Sequence, residues 1–355
     1  MAWFNFFKKN PKSFLGIDIG ASAVKMVQVE NEDGRYKLKN YAIYSLREYL
    51  KRNNYRVGGE SIIPSDEMAK IIKKTMEEAE IESKEAYLSI PVYSSFSTLI
   101  DLPDMPEKEI ASAIPYEARK YVPIPISEVV LDWSKVSSPS KKPGHRVLII
   151  AVPRKVIDYY NRAVQLAGLM PESMEEETFG LSRSLLGNDK SAVLLIDAGA
   201  RSINVSIVDD GYIRITHNLE LGGLKITKAI AQQMDYGMEK AEEIKRSVAG
   251  IKSNNEHVSQ VEGASRSILR IIALEIGKII NSYQSKYNRK VEKAILVGNG
   301  AHLIGFADHL AESLSLDVSL GDPFARVDYP LVLKPVLKEI GPSLAVAVGL
   351  AMRNS

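Results

Sequence analysis

Twice along the chain an unbroken apolar run stops at Asp-x-Gly and a second apolar run follows. In the first case Phe14 to Ile19 and Val24 to Glu30 read as strands rich in β-branched residues, joined by the turn Gly20 to Ala23. In the second, a run from Ala192 leads to Asp197 and Gly199, and Ile203 to Val208 follows. Between them, Ser65 to Ala79 has helical spacing, with Met68, Ile71, Ile72 and Met76 on one face and Ser65 placed as its N-cap. Strands are expected at Ala86 to Pro91, Ser97 to Leu102, Val129 to Val136 and Arg146 to Pro153, with a helix over Pro106 to Tyr121. The polar stretch Ser137 to Gly144 reads as a hairpin tip. Further helices are expected over Lys155 to Ala167, Glu175 to Leu186, Ile226 to Met234, His302 to Leu314 and Ser343 to Met352.

Composition narrows the function classes. A chain of 355 residues with 45% hydrophobic and 25% charged positions is an ordinary globular protein, large enough for two lobes. Its net charge of +2 carries no footprint for nucleic acid. With no cysteine there is no disulfide, thiolate metal site or cysteine nucleophile, and the five histidines are not closely paired. No apolar stretch approaches the roughly 20 residues of a membrane helix. The start, Trp3, Phe4, Phe6 and Phe7 before Lys8, Lys9 and Lys12, suits an interface, either packed beside the first strand or dipping into a membrane surface.

The two Asp-x-Gly units match along their length. Leu15-Gly16-Ile17-Asp18-Ile19-Gly20-Ala21-Ser22 is echoed by Leu194-Leu195-Ile196-Asp197-Ala198-Gly199-Ala200-Arg201-Ser202. An internal duplication is the economical explanation. Exposed N–H groups in such a turn can cradle phosphate oxygens, and an aspartate at the strand end can hold Mg²⁺ through its water. A lone Asp-x-Gly is an ordinary turn, whereas two facing loops would clamp a triphosphate. A third glycine-containing segment, Gly298-Asn299-Gly300-Ala301, follows the apolar run Ala294 to Val297. Alone it is a strand-to-helix connector of any α/β sheet; in this order it would let a nucleotide approach closely.

Hairpin, duplicated hairpin and Gly-x-Gly-Ala in that order resemble the phosphate-1, phosphate-2 and adenosine motifs of the actin, Hsp70 and sugar-kinase superfamily. The resemblance covers almost the whole chain. It implies an actin-like, Hsp70-type two-lobed α/β fold of duplicated ribonuclease-H-like domains, with ATP and Mg in the cleft. Lys25, seven residues after Asp18, falls where the superfamily has a phosphate-contacting lysine; it also reads as a solvated strand residue. Gly222 and Gly223, then Glu242 and Lys245, resemble segments lining the adenosine side, although the latter two also read as an exposed i, i+3 pair. Within the superfamily, Met105 to Ile110, Tyr116 to Pro123 and Val130 to Trp133 resemble the inserted small α+β subdomain of the PilM family, cytoplasmic assembly proteins of type IV pilus machines, with FtsA-type division proteins next.

What the resemblance implies is a docking lobe for the cytoplasmic N-terminal peptide of a PilN-type inner-membrane protein. Contacts to other pilus platform proteins, self-association and a place at the inner face of the inner membrane, held there through the partner, go with it. The implied units are a first lobe over 1–85, an insert over 86–170, a connecting helix over 171–190, a second lobe over 191–335 and a returning helix over 336–355. Ala200 and Arg201 depart from the pattern, since actin-like proteins commonly carry glycines there; Arg201 either narrows the pocket or reaches a phosphate itself. The water-orienting position falls near Glu177, which also reads, with Glu175 and Glu176, as the acidic first turn of a helix. A nucleotide-switched assembly protein, a scaffold with little turnover and an FtsA-like filament former all remain open. A sugar-kinase-like enzyme lacks any segment suggesting a substrate base.

Overall fold

The computed structural model describes residues 12–353 apart from 33, 54–62, 137–143 and 250–255. The aromatic start and the turn around Pro139, Lys141 and Lys142 lie outside the described residues. The chain opens with β1 (Lys12–Ile19), β2 (Ala23–Glu32), β3 (Arg35–Ser45), α1 (Arg47–Arg52), α2 (Ser65–Glu78) and β4 (Glu85–Ile90). Next come β5 (Phe96–Leu102), α3 (Glu107–Ala118), β6 (Val129–Lys135) and β7 (His145–Pro153), then α4 (Arg154–Leu166), β8 (Met170–Glu176) and α5 (Glu177–Leu185). The second half holds β9 (Val193–Ala198), β10 (Ile203–Asp209), β11 (Tyr212–Leu219), α6 (Gly223–Met234), α7 (Met238–Ser247), α8 (Glu256–Tyr287), β12 (Lys293–Val297), α9 (Phe306–Leu314) and β13 (Asp317–Leu320). It ends with β14 (Val327–Asp328) and α10 (Lys334–Ala351).

The expected duplication is built into two sheets. The first runs β14-β3-β2-β1-β4-β8 and the second β11-β10-β9-β12-β13. In each, an antiparallel meander of three strands is extended by strands running parallel to the first of the three. β1 and β9 are buried on both faces, which is why their sequences read as continuous apolar runs instead of alternating. One face of each sheet packs against its own helices. Between the sheets, Val27 and Tyr87 share a core with Leu195 and Val297, into which α10 sends Leu344, Val348 and Leu350.

A third sheet, β5-β7-β6, carries α3 and has a core of its own around Ile110, Ile114, Val147 and Ile149. Within the span 86–170, expected as one inserted unit, this sheet takes residues 96–153, while β4 and β8 lie in the first sheet and α4 packs among its helices. Helix ends also differ from expectation; α9, for one, begins at Phe306 and not at His302. Ser65 is the first helical residue of α2, because Pro64 takes the N-cap position with no side-chain bond. Glu175 and Glu176 end strand β8 and are not a helical first turn, since parallel pairing with β4 holds the backbone extended to Glu176. α10 starts nine residues before Ser343 and runs through Pro342, so that proline does not stop it. Among the described residues, no helix is long and apolar enough to cross a membrane.

Candidate functional site

The ends of β1 and β9 meet where the two sheets face each other. Asp18, buried on β1, accepts from Lys25 Nζ at 3.0 Å and from Ser89 Oγ at 2.8 Å. Lys25 stands directly opposite Asp18 on β2. Burial works against its charge, yet Asp18 and Asp197 together hold its pKa above the ordinary lysine value. Asp197 has the matching place on β9, and its cross-strand neighbour is Asn204, not a lysine. Burial, with Asp18 nearby, pushes the Asp197 carboxyl up to about 6 against the opposing pull of Lys25. Glu177, the first residue of α5, is buried in the same place. Its Oε2 accepts from the Val92 N–H at 3.2 Å and from Asn204 Nδ2 at 2.8 Å. Burial, then Asp18 and Asp197, drive its pKa well above the carboxylate range.

The two turns mirror each other. The Gly20 N–H donates to the Ala23 carbonyl at 3.0 Å, and the Gly199 N–H donates to the Ser202 carbonyl at 3.0 Å. Among the described residues, the N–H groups of Ala21, Ser22, Ala200 and Arg201 have no backbone partner, so each turn presents donors. Arg201 stacks its guanidinium over the Tyr93 ring, 4.7 Å from the centroid. Burial and Glu177 push the Tyr93 hydroxyl up to about 12, against the opposing pull of Arg201.

Gly222 and Gly223 buttress the second turn. The Gly222, Gly223 and Leu224 N–H groups donate to the carbonyls of Arg201, Gly199 and Ala200. A Cβ at Gly222 would sit 2.4 Å from the Arg201 carbonyl carbon and 2.5 Å from the Ala200 oxygen. Gly222→Ala is therefore expected to push α6 off the turn and lower stability by about 1 to 3 kcal/mol, read as the midpoint of urea unfolding. An unchanged midpoint would mean that the turn does not rely on this contact. Glu242 and Lys245 are not an exposed pair. Lys245 Nζ lies 2.7 Å from Glu242 and also donates to the Gly223 carbonyl and Thr227 Oγ1, bracing α7 against α6. Burial lowers the Lys245 pKa; at Glu242, Lys245, Thr227 and Arg246 outweigh burial and hold the carboxyl low.

On the opposite wall, Gly298 takes a φ of +87° and lies against Asp197, where a Cβ would come 2.3 Å from Oδ1. The Gly300 N–H donates to the Ala198 carbonyl at 2.8 Å, and Ala301 is buried behind it. Exposed Asn299 reaches Ser22 at 3.5 Å, while Lys51 of α1 pairs with Glu239 of α7 at 2.7 Å. Both contacts span the two halves. Asp18, Lys25, Asp197, Glu177 and the two turns thus lie where the two sheets face each other, with Asn299 reaching Ser22 across them, whereas Glu242 and Lys245 act on the helices behind the second turn. Sequence reasoning missed Ser89 and Asn204. A lone serine in an apolar strand gives no signal, but Asn204 follows Asp197 by the seven residues that separate Lys25 from Asp18.

The donor set suits a metal-bound phosphate ligand. Two buried carboxylates, Asp18 and Glu177, and the half-buried Asp197 share one lysine, so a divalent cation would relieve their repulsion. Comparison with known proteins agrees with the fold. The family profile described as "Type IV pilus assembly protein PilM" matches residues 16–355. A solved structure titled "PilM-PilN type IV pilus biogenesis complex" is 26% identical, superposes with a TM-score of 0.83, and covers 97% of this chain and 99% of that one. The ethanolamine utilization protein EutJ of Carboxydothermus hydrogenoformans shares the fold at 15% identity and a TM-score of 0.58, covering 97% of this chain and 90% of that one. Cell division protein FtsA of Enterococcus faecalis is 20% identical over 354 residues, 87% of this chain and 78% of that protein. The architecture is the expected actin-like one.

Proposed function

We propose, for a chain that belongs to the PilM family of type IV pilus assembly proteins, that it binds Mg-ATP between its two lobes and docks a PilN-type inner-membrane protein. The observation that carries the nucleotide reading is the pair of matched turns, each with unpartnered N–H groups, set beside Asp18, Lys25, Asp197 and Glu177. A bound Mg²⁺ would neutralise phosphate charge, with Asp18 and Asp197 holding it through its water. Lys25 supplies a fixed cation to the phosphates and the two turns supply N–H donors. Arg201, permanently charged, has a stacked resting place on Tyr93 from which it can reach an anion. Glu177 takes the position of the water-orienting group, and its two donors hold one carboxylate oxygen in place; turnover on this reading is slow.

Exposed pairs between the two halves, such as Lys51 with Glu239, are screened by solvent and contribute little, so opening and closing stay reversible. Partner docking is supported by the likeness to a solved PilM-PilN complex. We place the cytoplasmic N-terminal peptide of the partner beside the insert, where Tyr116 and Tyr121 are exposed. The protein would then work in the cytoplasm at the inner membrane, held there through that partner.

The test is nucleotide released on denaturing the purified protein, followed by calorimetric titration of the emptied protein with Mg-ATP. Retained ATP supports a slow switch and retained ADP an active ATPase. Failure to bind either would remove the nucleotide reading. In parallel, substitutions within 106–132 are expected to weaken binding of a PilN-type peptide, and full affinity would move the docking site elsewhere.

A further inference from the structure

Residues directly opposite one another on neighbouring strands share a face of the sheet. In the first sheet the row through Asp18 is Asp18, Lys25, Ile43, so its polar part ends on β2. In the second the corresponding row is Asp197, Asn204, Asn218, and it stays polar out to β11. Its outer members are joined to Glu177. Asn218 Nδ2 donates to Asn204 Oδ1 at 2.6 Å, and Asn204 Nδ2 donates to Glu177 Oε2 at 2.8 Å. Asn204 is buried, whereas Asn218 is half-buried and reaches a cavity of 220 Å³ beneath the insert, whose wall also includes Val92, Ser95, Tyr121 and His217. The 3-10 turn Val92–Ser94, which connects β4 to the insert, approaches Glu177 from the same side, through the Val92 N–H.

A carboxamide has one donor end and one acceptor end, and neighbours decide which way it faces. With Asn218 donating to its oxygen, Asn204 must turn its NH₂ toward Glu177. We infer that Asn204 and Asn218 are a positioning pair for Glu177, and that Asn218 makes the orientation of this carboxylate answerable to the cavity beneath the insert. A group in that cavity that takes the Asn218 amide removes the bond that fixes Asn204, so the donor that Asn204 offers Glu177 is no longer held in place. Glu177 acts within the nucleotide reading given above, whereas the pair's two hydrogen bonds are argued from geometry alone.

The isosteric variant Asn218→Asp separates orientation from packing. It keeps the shape of the side chain while replacing the donor by an acceptor that competes with Glu177 for the Asn204 NH₂; Asn218→Ala removes the bond and the bulk together. In the ¹⁵N-labelled full-length chain, the Asn204 side-chain amide signal, assigned by its loss in Asn204→Ser, is expected to move further in Asn218→Asp than in Asn218→Ala. Turnover of Mg-ATP is expected to fall about tenfold or more in Asn218→Asp, with KM unchanged. A packing role predicts the reverse order, Asn218→Ala larger and Asn218→Asp silent. An Asn204 signal unmoved in Asn218→Asp would overturn the inference. Should the unsubstituted protein neither bind nor turn over ATP, the nucleotide reading fails while the amide signal still decides the pair.

Discussion

Gly349→Ala is expected to lower the stability of the protein by about 3 kcal/mol or more, a large share of the roughly 5 to 15 kcal/mol that holds a domain folded. Gly349 lies in α10 where that helix crosses α5 backbone against backbone. A Cβ there would sit 1.8 Å from the Gly180 carbonyl oxygen and 2.4 Å from its carbon. No side chain can rotate to make room, because the obstructing atoms are main chain. A neighbouring glycine supplies the control. Gly341, in the same helix, would place its Cβ 3.6 Å from Phe324 and 3.7 Å from Pro323, which is ordinary contact. Gly341→Ala should therefore stabilise α10 by about 0.5 to 1 kcal/mol. Urea unfolding of the two variants measures both effects, and similar midpoints would show that α5 and α10 part easily.

Asp197→Asn should change stability and ligand binding in opposite directions. The Asp197 carboxyl titrates at about 6 in the folded chain against 3.8 ordinarily, so folding favours its protonated form. That preference stabilises the fold fully below pH 3.8 and is lost as the pH rises through about 6. Above that range the ionised group is a burden that the asparagine variant does not carry. At pH 8 Asp197→Asn is expected to be more stable than the parent by about 1 to 3 kcal/mol, and the difference should shrink toward zero near pH 4. Mg-ATP affinity should fall about tenfold to a hundredfold, as for loss of a group that holds a metal through its water. Denaturant unfolding at the two pH values and calorimetry at pH 8 decide it. Lower stability at pH 8 together with unchanged affinity would show that Asp197 serves the fold alone.

What the sequence shows of this protein follows how deeply each element is buried. β1, β2, β9 and β10 are legible because both their faces are covered, so that apolar runs between Asp-x-Gly turns could be nothing else. β8 is not legible. Met170 to Glu176 has no β-branched residue, and three of its seven residues are glutamates. Two of them are tolerated because Glu175 pairs with Arg183 of the next helix at 2.7 Å and Glu176 accepts from Ser95, far off in the chain, at 2.8 Å. The early part of α10 was hidden by Pro342, which reads as a breaker. In the folded chain the Pro342 carbonyl accepts from the Gly298 N–H at 2.9 Å, tying the helix to the cleft wall. At the site, duplication brought out Asp18 and Asp197, whereas Lys25 came only from the resemblance, its counterpart in the second unit being Asn204. Which reading of Glu177 holds depends on burial between the sheets, a tertiary property.

The path of α10 sets a condition on synthesis. Its residues complete the packing of β1, where a Cβ at Gly16 would lie 2.1 Å from the Ala347 oxygen, and the Tyr36 hydroxyl of β3 donates to the Met352 carbonyl across 316 residues of sequence. At about 5 to 20 residues per second, the ribosome needs roughly 15 to 60 s to cover that distance. For that time the inner face of the first sheet, with Phe14, Val27 and Tyr87, waits without the helix that covers it. A nascent chain in this condition is a natural client for a chaperone that shields apolar surface until translation has passed residue 351.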